Sequence, residues 1–286
     1  MINFNGELLQ TGSKILSSQN RAYKYGDGLF ETIKVSGGSI LFWEDHYFRL
    51  MASMRILRME IPMNFTMEFL EEQILLTLTS NEIKHARIRF SVFRGNGGTY
   101  KPKANDIQYI IEADELEYFN FKFPEQIDYE VDLYKDFYIH TSLLSTLKTN
   151  NKITHILASI YAEENELANC LLLNSEKNVI EAINANLFLV SGTSIKTPPL
   201  SSGCLKGIMR KQIIDLIKKD EELKVEEVDI SSFELQKADE LFLTNSIAGI
   251  IPISKYRKKT FENKVSTKLL KLLNGKLIEG FTNKLA

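Results

Sequence analysis

Apolar residues recur along the chain with two periods. Tyr47, Leu50, Met51, Met54 and Leu57 fall at helical spacing, predicting an amphipathic helix that Pro62 ends. Met67, Leu70, Ile74 and Leu78 predict a second helix. Residues 30–35 and 40–43 flank Ser36-Gly37-Gly38-Ser39, a pattern that predicts a β-hairpin. Residues 87–93 and 107–112 read as strands, with the glycine-rich loop Arg94-Gly95-Asn96-Gly97-Gly98 between them. Residues 113–124 are polar, aromatic and irregular, and the domain junction is placed there.

Beyond the junction, Ile153, Ile156, Leu157, Ile160, Tyr161, Glu164, Leu167 and Ala168 keep a helical pattern that Asn150 or Asn151 can cap. Strands are predicted at 170–173, 179–183 and 187–190, the first two joined by the polar turn Asn174-Ser175-Glu176-Lys177-Asn178. Leu205, Ile208, Met209, Ile213, Leu216 and Ile217 form a further helix opening just after Ser201-Ser202-Gly203. A strand near 241–243 and a terminal helix over 265–273 complete the pattern. Strands before, between and after helices make this an α/β or α+β chain, divided into residues 1–115 and 116–286.

Composition narrows the classes. The chain has 286 residues, is 44% hydrophobic and 25% charged, and carries a formal net charge of -2. That size can bury a large core and stands where one core begins to split into two. The charge balance recruits neither nucleic acid nor an anionic membrane. The N-terminus has no basic and apolar leader, and no apolar run approaches a membrane span, so a cytoplasmic protein is expected. Cys170 and Cys204 read as reduced thiols. His46, His85, His140 and His155 have no Cys, Asp or Glu at ligand spacing, so no metal site is expected.

Several residues invite a chemical reading, each with a plainer alternative. Lys148 closes Leu143-Leu144-Ser145-Thr146-Leu147 just ahead of a helix, where an ordinary surface lysine fits equally. Glu181 interrupts an apolar strand. Under strict alternation it shares a face with Val179 and Ile183, where an unpaired carboxylate is costly, although an edge position explains it too. Ser202-Gly203-Cys204-Leu205-Lys206-Gly207-Ile208-Met209-Arg210 opens a helix with glycines, so an anion fits its N–H groups; it also reads as a simple loop-to-helix junction. Arg49 falls on the polar face of the helix starting near His46, where solvation alone accounts for it. Thr244-Asn245-Ser246 can hold phosphate or cap a turn.

Taken in order, Tyr25-Gly26-Asp27-Gly28-Leu29-Phe30-Glu31-Thr32, Glu44-Asp45-His46-Tyr47-Phe48-Arg49-Leu50, Leu147-Lys148-Thr149-Asn150-Asn151, Glu181, Ala185-Asn186-Leu187-Phe188, Gly207-Ile208-Met209-Arg210 and Thr244-Asn245-Ser246-Ile247 with Pro252 resemble the class IV aminotransferases. These are fold-type IV enzymes of pyridoxal 5'-phosphate. The resemblance implies an α+β fold with a small N-terminal domain, a larger C-terminal pseudo-barrel domain, and a homodimer. It implies that Lys148 carries the cofactor as a Schiff base and serves as the base at the substrate Cα. Glu181 would pair with the pyridinium nitrogen. Arg49, the backbone N–H groups of Ile208 and Met209, and Ser246 beside Asn245 would hold the phosphate. Tyr25, Phe30, Glu31, Arg94 and Ile247 would fall on the substrate side.

Within that family, Gly207-Ile208-Met209-Arg210 and Leu243-Thr244-Asn245-Ser246 look most like 4-amino-4-deoxychorismate lyases, which eliminate pyruvate to give 4-aminobenzoate for folate. Branched-chain transaminases tend to carry Gly-Thr-Ala-Ala where this chain has Asn245-Ser246-Ile247-Ala248. Thr99, where many lyases place an arginine, keeps a branched-chain or D-amino acid aminotransferase as the alternative.

Overall fold

The computed structural model describes residues 1–117, 120–124 and 127–285, with side chains through residue 278. Tyr118 and Phe119, inside the expected junction, lie outside the described residues. The chain divides into two compact units. The first takes Met1–Phe119 and Leu147–Asn151, the second Asn120–Thr146 and Lys152–Ala286.

The first unit contains β1 (Ile2–Phe4), β2 (Glu7–Leu9), α1 (Arg21–Tyr25), β3 (Gly28–Ser36), β4 (Ser39–Ile40), α2 (Trp43–Ile56), α3 (Met67–Ser80), β5 (Ala86–Arg94) and β6 (Ile107–Glu115). The strands form one antiparallel sheet in the order β2-β1-β6-β5-β3-β4. The expected hairpin is present, but its second strand stops at Ile40 and Trp43 belongs to α2. Leu29, Ile33 and Val35 of β3 share a buried cluster with Leu50, Met51 and Met54 of α2 and with Leu70, Ile74 and Leu78 of α3. The two helical stripes read from the sequence are therefore the helices' inward faces. β6 runs on to Glu115, so residues 113–115 are strand rather than junction.

β4 pairs only with Val35 and Ser36, which leaves the start of β3 open on that side. Leu147–Asn151 fills the opening. Phe30 N–H donates to Lys148 O (2.9 Å), Asn150 N–H to Gly28 O (3.0 Å), and Leu29 bridges Thr149 in antiparallel register. Leu147 is buried in the same core as α2 and α3.

The second unit contains β7 (Glu130–Ile139), α4 (Ile153–Glu164), β8 (Asn169–Asn174), β9 (Asn178–Ala182), β10 (Ala185–Ser191), β11 (Ser194–Thr197), α5 (Ile208–Lys219), β12 (Lys224–Glu227), β13 (Ile230–Ser231), α6 (Ser232–Leu235), β14 (Glu240–Asn245), β15 (Gly249–Pro252), β16 (Lys255–Tyr256), β17 (Lys259–Thr260) and α7 (Lys264–Leu285). The path β12-β11-β10-β9-β8-β7-β16-β17 is extended by β13 on β9 and by β14 and β15 beside β10. Leu171 and Leu173 pack into one cluster, while Cys170 and Leu172 join Ala158 and Ala162 of α4 in another, so β8 is buried on both faces. That explains an apolar run without alternation.

α7 begins where a buried carboxylate closes its first turn. Glu240, 3% exposed, accepts from Val265 N–H (2.6 Å), Ser266 N–H (3.1 Å) and Ser266 Oγ (3.2 Å). A carboxylate there satisfies N–H groups that have no partner within the helix and complements its dipole. Glu240→Ala is expected to lower the urea unfolding free energy by about 2 kcal/mol, read as a shift in the unfolding midpoint with an unchanged slope.

Candidate active site

In the first unit, strand pairing puts Lys148 directly opposite Phe30. The Lys148 Nζ lies 4.4 Å from the centre of the Phe30 ring, and the Arg89 guanidinium lies 4.1 Å from it. Lys148 is half-buried rather than a surface side chain. An amine kept over an aromatic ring is partly desolvated yet still held by the ring's negative face.

Glu31 stands next to Phe30, so alternation turns it to the other face of β3, into the row Leu29, Ile33 and Val35 beneath α2. A carboxylate in an apolar row demands compensation, and α2 supplies it. Arg49 Nε donates to Glu31 Oε1 (2.8 Å), its Nη2 donates to Oε2, and His46 Nδ1 lies 2.7 Å from Oε2. Arg49 is buried, 8% exposed, and not a solvated residue of a polar helix face. Burial alone would raise the Glu31 carboxyl, but the Arg49 charge and the bonds from His46 and Arg49 together hold it at about 2. Burial lowers the His46 imidazole, with the charges of Arg49 and Lys148 adding to the effect against the pull of Glu31. His46 is therefore neutral, gives its Nδ1–H to Glu31, and turns a buried Nε2 lone pair into the unit.

Tyr25, at the end of α1, packs against Tyr100 at 5.7 Å with the Arg21 guanidinium 5.0 Å from its ring. Arg94 is spent on its surroundings. It donates to Asp27 Oδ2 (3.0 Å), Asn105 Oδ1 (2.6 Å) and the carbonyls of Leu57 (2.7 Å) and Arg58 (3.2 Å). Arg21 binds the same Asp27 oxygen (2.8 Å) and the carbonyls of Gly97, Thr99 and Tyr100. Two buried arginines on one carboxylate thus brace the glycine-rich loop, and Asp27 of the Gly26-Asp27-Gly28 turn is the hinge pin.

In the second unit, Glu181 is 5% exposed. Strict alternation fails here. Leu172 pairs with Glu181 while Leu173 pairs with Val179, a bulge that puts Ile180 and Glu181 on the same side. Ile180 joins the cluster of α4, whereas Val179 packs on the opposite face. Glu181 accordingly meets α4. His155 Nε2 lies 3.1 Å from its Oε1, and Leu205 N–H donates to its Oε2 (2.8 Å). Cys204, beside this carboxylate, has a thiol pushed up to about 12, by burial first and by the Glu181 charge second, so it stays protonated. Neither His46 nor His155 shows its carboxylate partner in local spacing, because each contact joins separate elements. Among the described residues, no His, Cys, Asp and Glu cluster could hold a metal ion.

Gly207 precedes α5 in extended conformation, and the Asn186 amide fills the space a side chain would need: a Cβ there would come within 2.0 Å of Asn186 Oδ1. Asn186 Nδ2 in turn donates to Leu205 O (2.9 Å). Ile208 and Met209 follow, buried, in the first turn of this 12-residue helix, whose leading N–H groups have no partners within it. Asn245 spends its side-chain oxygen on its own turn, accepting from Ile247 N–H (3.0 Å) and Ala248 N–H (2.9 Å). Ser246 and Ile247 sit half-buried in that turn, and Thr244 Oγ1 is buried with no hydrogen-bond partner.

The Glu31 cluster makes stability acid-sensitive. An unfolded chain takes up protons at His46 near pH 6.5 and at Glu31 near pH 4.5, while the folded chain resists both. Their contribution is complete above the first value. It falls with acid, the Glu31 part being lost between 4.5 and about 2. Glu31→Gln is expected to cost on the order of 3 kcal/mol at pH 7 and to flatten that acid limb, measured by urea unfolding across pH.

The family model for amino-transferase class IV matches residues 28–256. The aminodeoxychorismate lyase of Vibrio harveyi is 30% identical over 268 residues, 90% of this chain and 94% of that protein. The D-alanine aminotransferase of Bacillus licheniformis is 24% identical over 258 residues, 88% of this chain and 86% of that protein. The fold is shared with the branched-chain amino acid aminotransferase of Escherichia coli at a TM-score of 0.86 and 23% identity, over 96% of this chain and 93% of that one. The chain belongs to the class IV aminotransferases, an α+β family of pyridoxal-phosphate-dependent transaminases and lyases.

Proposed function

We propose that this enzyme binds pyridoxal 5'-phosphate and acts as a 4-amino-4-deoxychorismate lyase. The observation that carries the reaction is the similarity to the Vibrio harveyi lyase, which spans nearly the whole of both chains. The residues present fit the cofactor by the chemistry of their donor set: a half-buried amine at Lys148, a buried acceptor at Glu181, a glycine-led helix start at Ile208 and Met209, and the unpartnered Thr244 Oγ1 next to Asn245.

When bound, pyridoxal phosphate supplies the electron sink for charge left at the substrate Cα. Lys148 would be the covalent anchor, and its amine would take the Cα proton; its place over the Phe30 ring fixes where that amine stands. Glu181 would accept the hydrogen bond of the ring nitrogen. Ile208 and Met209 N–H groups, the Ser246 hydroxyl and Asn245 hold the phosphate. Arg49, with two of its five N–H groups on Glu31, adds cationic charge there. Tyr25, Phe30 and Ile247 border the substrate, and Arg94 acts on it through the loop that it braces. In the lyase reaction, proton removal and loss of pyruvate leave aromatic 4-aminobenzoate. A branched-chain or D-amino acid aminotransferase is the second reading, favoured by Thr99 standing where many lyases place an arginine.

A homodimer is part of the proposal. Ile153, Ile156 and Ile160 lie along one side of α4 at 66%, 53% and 46% exposed, an apolar stripe suited to a second copy of the chain. No helix among the described residues is long and apolar enough to cross a membrane, and a cytoplasmic location is proposed with the rest.

Aminodeoxychorismate is expected to yield pyruvate and 4-aminobenzoate in equal amounts with the wild type, and Lys148→Ala is expected to lose both activity and the visible absorbance of bound cofactor. Amino transfer from an amino-acid panel without any pyruvate release would replace the lyase by the transaminase. Ile156→Glu is expected to move the protein from dimer to monomer in light scattering while its circular dichroism stays unchanged.

A further inference from the structure

We propose that His155 is a positioning residue for Glu181: its Nε2–H holds one carboxylate oxygen so that Glu181 presents a fixed, anionic acceptor to the cofactor's ring nitrogen. The inference rests on the reading of Glu181 given above and adds a residue that the ordered motifs do not contain.

His155 occupies the first turn of α4, in line with Ala158 and Ala162 at helical spacing. Those two alanines are buried on the side of α4 that packs against β7 and β8. Small residues along this face let the helix approach the sheet closely, and a histidine one turn earlier replaces packing with a polar contact. Pairing completes the arrangement: Glu181 stands opposite Leu172, which packs on the α4 side, and the bulge that follows turns Val179 to the other face.

A carboxylate anion only accepts, so the 3.1 Å contact from His155 Nε2 to Glu181 Oε1 requires the tautomer with hydrogen on Nε2, or the imidazolium. The second oxygen takes Leu205 N–H at 2.8 Å. Two donors from separate elements, a helix and the loop before α5, therefore fix both oxygens. Cys204 adds no competing anion, its thiol being held protonated. Removing the His155 donor leaves Glu181 held at a single oxygen and free to turn, so it no longer presents a fixed acceptor to the ring nitrogen.

The test uses pyridoxal phosphate labelled with 15N at the ring nitrogen, bound to wild type, His155→Ala and His155→Gln. The alanine variant is expected to shift the ring-nitrogen resonance toward that of the unprotonated ring and to weaken cofactor binding by about tenfold. The glutamine variant, which still offers an N–H, is expected to recover most of both. An alanine variant with wild-type resonance and affinity overturns the proposal. A wild type that binds no pyridoxal phosphate sinks the functional reading instead. In that case histidine 15N spectra of the protein alone decide the contact: an Nε2–H signal that moves in Glu181→Gln upholds it, and an Nδ1–H tautomer overturns it.

Discussion

The chemistry of the first unit depends on a short piece of antiparallel pairing between residues 148–150 and the start of β3. Two backbone hydrogen bonds and one bridge fix the register there. Because opposed residues on antiparallel strands share a face, this register alone brings the Lys148 amine to the Phe30 ring. A slip by one residue would point the lysine to the core side and Leu147 out of it. Leu147 buried with the helices guards against the slip, so a hydrophobic contact enforces the position of the Lys148 amine.

Two buried glutamates are stabilised in opposite ways. Glu31 lies in an apolar row and is neutralised by a full charge, Arg49, with a neutral histidine filling the remaining acceptor site. Glu181 is given dipolar donors, a backbone N–H and an imidazole, and no arginine or lysine bridges it among the described residues. The first arrangement locks a carboxylate into structure. The second holds a carboxylate by dipoles alone, without a full counter-charge.

Much of the fold was legible in the chain because helical stripes and short apolar runs report burial directly, as in α2, α3 and β8. The family was legible because short motifs keep their order along the sequence. What could not be read were contacts made by residues distant in the chain. Glu31 and His46 meet because β3 and α2 pack; His155 and Glu181 meet because β9 pairs Glu181 with Leu172 on the side where α4 packs. A bulge is set by its pairing partners, so strict alternation misplaced Glu181 relative to Val179. Arg49 read as solvated because helical periodicity marks apolar faces and gives no sign of a carboxylate buried on a neighbouring strand. Arg94 carries the same lesson: two of its acceptors are main-chain carbonyls, which leave no trace in the residue types.

The return of Leu147–Asn151 to the first unit bears on how the protein is made. The N-terminal unit holds most of its residues in one continuous stretch and would otherwise be able to fold while synthesis continues. Its β3 edge and one core position nevertheless wait for a segment that follows the first strand of the second unit. A ribosome must therefore deliver residues through Asn151 before that unit can close, and until then the open strand edge is exposed to pairing with other chains. Lys148 is set in place by the same event that completes the unit's core, so a nascent chain positions that amine only on finishing the fold that holds it.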